Sequence, residues 1–374
     1  MKILLIHNSY QYKGGEETYV ESLKLLLEKR GHKVFFYNKK SENIKSIKDK
    51  IFIALSLLWN TTTNNELTKI INEFQPDIAH INNVYPLIGP TVYYACKKNG
   101  VKIVQTIHNY RFMCPKGLLF RKGNICELCT HLKFPFWAIL YGCYHQSYLA
   151  SFFISLSYLL HKSIFKTFNN IDTYIFPSQF TKQFYQSHLN IPENKSLLLP
   201  YFVQSPVLKR IVKKERYCLY VGRLSEEKGI IDLLMRFKNT PNINLKVIGT
   251  GPLSKKVAKY KKYKNIEILG FIERKKIVPI LQKAQVLIIP SKWYEVLPFA
   301  YIEARTQGLP ILVPNNNNFQ LLAKEDKYIF LDENIDLTKT FFKESNSKKA
   351  PILRYTANYH YDLLMSLYKK IGAV

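Results

Sequence analysis

The chain has 374 residues, 47% of them apolar and 14% aromatic, with 15 Gly and 17 Pro. That composition excludes a disordered, collagen-like or disulfide-framework protein, because ample apolar surface is available to offset chain entropy. Lys and Arg number 55 against 27 Asp and Glu, a formal charge of +28. The excess suits a polyanionic neighbour (nucleic acid, an anionic bilayer or a phosphorylated ligand) and equally a solvated surface. The length predicts two or three hydrophobic cores.

Lys2–His7 is a short continuous apolar run, the pattern of a strand covered on both faces. A loop with Gly14-Gly15 follows. Leu23, Leu26 and Leu27 then recur at helical spacing until Gly31. Val34–Tyr37 reads as the next strand, so the chain opens as a parallel βαβ unit. A helix over Glu66–Phe74 leads into strand Asp77–Ile81. A helix over Pro90–Lys98 leads into strand Val101–Thr106, and Ile171–Phe176 is the last strand expected in this half.

Periodicity fades over 192–214, which reads as a linker. Beyond it the rhythm restarts. Strands are expected at Tyr217–Val221, Asn244–Ile248, Ile266–Leu269, Val286–Ile289 and Pro310–Val313. Helices are expected at Gly229–Phe237, Arg274–Gln282 and Pro298–Thr306. Two α/β domains of the Rossmann kind follow, with ligands expected at the carboxyl ends of their strands. The division is a first domain over 1–200, with a Cys-containing insertion near 109–168, and a second over 201–353. An amphipathic helix over 354–374 is expected to pack back on the first domain.

No secretory signal is expected, since Ile3–Ile6 is too short for an h-region. The apolar run Tyr148–Leu160 falls short of the ~20 residues that span a bilayer. It fits a core helix or one lying in the headgroup plane. The reading is a cytoplasmic chain with reduced thiols, peripheral at the inner membrane face if that run meets lipid.

The densest chemistry lies in Ser291–Pro310, where Glu295 and Glu303 stand eight apart. Pro298 falls where a helix begins and where its missing N–H does no harm. The amides around Leu297, Pro298 and Phe299 (the proline has none) would then face a ligand, and a helix N-terminus favours phosphate or sugar oxygens. Carboxylates such as Glu295 and Glu303 are ordinary acceptors for vicinal hydroxyls. Arg223 and Lys228 follow a strand and can neutralise a diphosphate. Gly249 and Gly251 permit close backbone approach.

This block resembles the E-x7-E signature of retaining glycosyltransferases of family 4, which have the GT-B fold of two Rossmann-like domains facing a central cleft. Gly222-Arg223-Leu224 with Lys228-Gly229 is similar to that family's G-R-L-x-x-x-K-G loop, and Gly249-Thr250-Gly251-Pro252 to its G-x-G-P turn. Gly14-Gly15 matches its glycine-rich loop, and His108 its histidine at the end of a strand, with Asn109 in place of an acidic residue. Gln285 replaces a common Asp, and Asn315–Asn318 a glycine-containing loop.

The resemblance implies transfer from a UDP- or GDP-sugar with no catalytic metal. Arg223 and Lys228 would hold the diphosphate, Glu303 the ribose, and Glu295 with the 297–299 backbone the sugar. His108 would position that sugar.

Cys114, Cys126, Cys129 and Cys143, spaced C-x11-C-x2-C-x13-C, are similar to a bacterial subgroup associated with surface polysaccharide synthesis. Their spacing suits a structural zinc, free core thiols or a redox pair. A lipid-linked saccharide acceptor at an anionic inner leaflet would account for the aromatic residues near 134–160 beside many lysines. Alternatives are a GT-B epimerase or phosphorylase, or a basic nucleic-acid-binding protein. The six lysines within 255–264 lack any accompanying nucleic-acid motif, so no nucleic-acid partner is expected.

Overall fold

The computed structural model describes residues 1–10, 14–40, 46–204, 213–326, 329–331 and 353–372. Strand β1 (Lys2–Ser9) is buried along all but its two end residues, as its unbroken apolar run requires. Gly14 caps α1 (Gly15–Lys29), whose Tyr19, Val20, Leu23, Leu26 and Leu27 face inward. The chain continues through β2 (Lys33–Lys40), α2 (Ile47–Leu58), α3 (Thr61–Phe74), β3 (Ile78–Ile81), α4 (Thr91–Lys98) and β4 (Lys102–Thr106). After them come the hairpin β5 (Phe120–Arg121) and β6 (Asn124–Ile125), then α5 (Phe136–Leu140) and α6 (Tyr148–Leu159). This half closes with β7 (Thr173–Phe176), α7 (Gln179–Leu189) and β8 (Ser196–Leu198). One sheet runs β2-β1-β3-β4-β7-β8, all parallel.

A second set follows: β9 (Tyr217–Val221), α8 (Ile230–Lys238), β10 (Asn244–Ile248), α9 (Ser254–Ala258), β11 (Ile266–Gly270) and α10 (Arg274–Lys283). It continues with β12 (Val286–Ile288), α11 (Phe299–Thr306), β13 (Ile311–Val313), α12 (Asn317–Glu325) and β14 (Ile329–Leu331). These strands form a parallel sheet in the order β11-β10-β9-β12-β13-β14. The order reverses between β9 and β12, the crevice where doubly wound sheets bind ligands. In the first sheet the reversal lies between β1 and β3.

Two units result. One comprises Met1–Leu119, Cys126–Pro200 and Ala357–Val374; the other comprises Phe120–Ile125 and Tyr201–Thr356. The helix α13 (Ala357–Lys370) therefore belongs to the first unit. There Tyr368 Oη lies 2.6 Å from buried His80 Nδ1, and His360 Nδ1–H donates to Pro200 O at 2.8 Å.

Three elements depart from the sequence reading. The stretch 192–214 is not all linker: Ser196–Leu198 is an edge strand paired with Tyr174–Phe176, too short to show an alternation. Residues 205–212 of that stretch lie outside the described residues. Helix α3 begins at Thr61, earlier than Glu66, because Asn60 caps it by accepting the Thr63 amide at 3.0 Å. The Asn315–Asn318 run likewise opens a helix, with Asn316 capping α12.

Candidate functional site

In the second unit, the loops at the carboxyl ends of β9, β10 and β12 converge. Lys228 and Glu295 meet across 67 positions of sequence, with Nζ donating to Oε1 at 2.6 Å. Glu295 is 3% exposed, and the same Oε1 also accepts from Ser291 Oγ. Its backbone is fixed by Asn318, which accepts the Glu295 amide at 3.1 Å and donates to its carbonyl at 2.8 Å. Lys228 Nζ also lies over the Trp293 ring at 5.0 Å. Arg223, on the same loop, is exposed.

Glu303 projects from the buried face of α11, where its Oε1 accepts from Arg274 Nε. The Arg274 guanidinium lies 4.7 Å over the Phe299 ring. Burial, only partly offset by Arg274, holds the Glu303 carboxyl above the usual carboxylate range. Pro298 caps α11, and the first amides of the helix beyond it have no intrahelical acceptor. Leu297 is buried, and Phe299 stacks on Tyr201 with centroids 5.2 Å apart. Both carboxylates of the E-x7-E block therefore carry a cation partner. Sequence reasoning found Lys228 but missed Arg274, Ser291 and Asn318, which are ordinary residue types with no local signal.

The glycines here admit the chain's own backbone. A Cβ on Gly249 would lie 1.9 Å from Gly222 O, and one on Gly251 would lie 2.5 Å from Leu224 O. The G-x-G turn is thus laid against the β9 loop, where Leu224 N–H donates to Thr250 O at 2.9 Å.

In the first unit, Gly14 caps α1 at φ −131°, a conformation open to any residue. Gly15 is the first residue of that helix. Glu17 accepts the Tyr10 amide at 3.1 Å and the Gly14 amide at 2.8 Å. His108, two residues beyond β4, donates through Nε2–H to Asn82 Oδ1 at 2.8 Å. Its ring packs 5.2 Å from that of Tyr19. Burial holds His108 well below the usual histidine range, so the imidazole is neutral. A cavity of about 20 Å³, room for one water, borders His108, Asn109, Arg111, Asn82 and Thr106.

No disulfide joins Cys114, Cys126, Cys129 and Cys143 among the described residues. Burial and the neighbouring Cys114, Cys143 and Cys126 push the Cys129 thiol up to about 12. Among the described residues, no group of three or more His, Cys, Asp and Glu is placed to hold a metal ion.

The family model described as Glycosyltransferase Family 4 matches residues 13–204, and that described as Glycosyl transferases group 1 matches residues 206–348. A Klebsiella pneumoniae relative, described as an uncharacterized 42.6 kDa protein in cps region, is 24% identical over 372 residues, covering 90% of this chain and 91% of its own. Sucrose-phosphate synthase of Thermosynechococcus elongatus superposes with a TM-score of 0.65 at 15% identity, over 100% of this chain and 99% of its own. HepE of Anabaena in complex with UDP superposes with a TM-score of 0.62 at 14% identity, over 99% of this chain and 100% of its own. HepE has also been solved with UDP-glucose.

Proposed function

Since the chain belongs to glycosyltransferase family 4 and has the GT-B fold, we propose that it moves a hexose from a UDP- or GDP-sugar to a lipid-linked saccharide, with retention at the anomeric carbon, in surface polysaccharide synthesis. The observation that carries this reading is the Lys228–Glu295 ion pair, which joins the G-R-L-x-x-x-K-G loop to the E-x7-E block. Arg223 and Lys228 neutralise the diphosphate as the bond from the anomeric carbon to phosphate oxygen breaks. Amides at the start of α11 add to that field. Glu303 holds the ribose, Glu295 with the 297–299 backbone holds the sugar, and His108 positions it. The departing phosphate takes the proton of the incoming hydroxyl. The cps-region relative supports the polysaccharide context, and the UDP bound by HepE supports a uridine donor.

Lys228→Ala and Arg223→Ala each remove one cation from a preorganised electrostatic site. Transfer from radiolabelled UDP-glucose, UDP-galactose or a GDP-sugar is expected to fall by about 10²–10³. Turnover unchanged in either variant refutes the clamp.

The membrane half of the reading rests on α6. Its buried face is rich in serine (Ser151, Ser155 and Ser157), while Tyr148 and Leu149 are each 68% exposed. The neighbouring α2 exposes Ile51, Phe52 and Leu55. Apolar residues turned outward on a chain of formal charge +28 fit an anionic leaflet.

A further inference from the structure

Two adjacent glutamates open α1, and they do different things. Glu17 accepts the amides of Tyr10 and Gly14. Glu16 reaches the exit of β4 instead, where Oε2 accepts from Asn109 Nδ2 at 3.3 Å. Asn109 Oδ1 in turn accepts the Arg111 amide at 3.0 Å. The Arg111 guanidinium donates to Pro115 O at 3.0 Å and lies over the rings of Tyr85 and Tyr144, each 5.7 Å away. It is thereby held in place beside Asn109.

Several polar atoms in this cluster lack a hydrogen-bond partner among the described residues: Glu16 Oε1, Arg111 Nε and both ring nitrogens of His7. His7 is 1% exposed. Its Nδ1 stands 3.9 Å from Glu16 Oε1 and its Nε2 stands 4.0 Å from Glu17 Oε1. Both gaps exceed a hydrogen bond. Buried polar atoms are almost always paired, so a cluster of unpaired ones points to a polar occupant. Burial, with Glu17 adding to it and Arg111 and Asn109 opposing, raises the Glu16 carboxyl to about 8; burial lowers His7 to about 4. Both groups are then largely uncharged near neutrality, and each can donate as well as accept. A neutral hydroxyl matches that chemistry better than an anion. His7 lies in β1, Glu16 follows it, and Asn109 and Arg111 lie beyond β4, so the cluster sits at strand carboxyl ends.

We propose that Glu16, with His7, Asn109 and Arg111, receives a hydroxyl of the acceptor saccharide, which donates its hydrogen bond to the Glu16 carboxyl. The proposal rests on the glycosyl-transfer reading above and adds to it the residue that orients the attacking oxygen. That oxygen forms the bond to the anomeric carbon as the bond to phosphate breaks. Its proton leaves to the phosphate, so Glu16 need not change protonation.

The test uses the full chain with UDP-glucose as donor and p-nitrophenyl glucoside, galactoside and N-acetylglucosaminide as acceptor probes. Glu16→Ala, which leaves no acceptor for that hydrogen bond, is expected to lower kcat/KM for the glycoside about 10²-fold. Its UDP affinity by calorimetry is expected to match the parent, and Glu16→Gln, which keeps an acceptor oxygen, is expected to recover part of the loss. Transfer within threefold of the parent, or a parallel loss of UDP affinity, overturns the assignment. Should the parent bind UDP but transfer to none of the probes, saturation-transfer NMR decides. Glycoside signals saturated by the parent and not by Glu16→Ala support the site, whereas equal saturation or none refutes it. A parent that binds no nucleotide at all defeats the transferase reading, a result distinct from any of these.

Discussion

Gly229 sits at φ +68°, and a Cβ there would lie 2.0 Å from Pro290 O. The backbone conformation alone costs a non-glycine residue about 1–2 kcal/mol. The contact adds to that cost, because the obstacle is backbone and cannot swing aside. Pro290 leads directly into Ser291–Glu295, so pushing it displaces the carboxylate that Lys228 grips. Gly229→Ala is therefore expected to lose more than about 2 kcal/mol in urea unfolding, together with most transfer activity. A variant as stable as the parent contradicts the geometry. The glycine was conspicuous in the sequence because the motif marks it. Its reason, the approach of Pro290, was not, since three helices and three strands separate the two. Glu16 and Glu17 show the same limit more sharply. They are identical neighbours, and no local pattern says that one accepts the Tyr10 and Gly14 amides while the other faces Asn109.

At the scale of elements, the strands were the most legible, because burial on both faces leaves an unbroken apolar run such as Ile3–Ile6. Elements whose burial is partial were harder to read. Helix α2 exposes Ile51, Phe52 and Leu55, so its apolar residues do not mark an inward stripe. Helix α6 reads as greasy on all sides, yet it turns serines inward: Ser157 Oγ donates to Leu57 O at 2.6 Å and Ser155 Oγ to Pro135 O at 3.2 Å. These buried hydroxyls are satisfied, which removes the usual penalty and frees the apolar side for another contact. The protein is expected to float with vesicles containing phosphatidylglycerol at low salt and to release partly at high salt. Phe52→Ser with Leu149→Ser is expected to abolish flotation without loss of fold. Absence from the lipid fraction at both salt concentrations refutes the membrane surface.

For the molecule as a whole, the buried histidines set the response to acid. Burial lowers His7, His161 and His360 to about 4 and His80 to about 3. A group whose folded value lies below its unfolded one binds fewer protons when folded, so stability falls as pH drops from about 6.5 towards 4. Glu16 has the opposite sign: raised to about 8, it contributes stability that drains away as pH climbs from about 4.5 through 8. The thermal midpoint is expected to peak near about pH 6.5, with a steep acid limb and a shallow alkaline one that Glu16→Gln flattens. A midpoint constant from pH 4 to 7 contradicts the burial of those imidazoles. The two-sheet organisation was readable from the βα rhythm. The Lys228–Glu295 and Arg274–Glu303 pairings were not, because they depend on which strand lies beside which.

Helix α13 carries one further consequence. His80, beneath the sheet's carboxyl end, and Tyr19, against His108, find Tyr368 and His360 only there. During translation, the amino-terminal layer therefore waits with those positions uncovered while Tyr201–Thr356 is made, and only then is it sealed. Maturation of the amino-terminal half is thus tied to completion of the other, so a ribosome stalled within the second sheet releases a polypeptide whose earlier half is still unfinished.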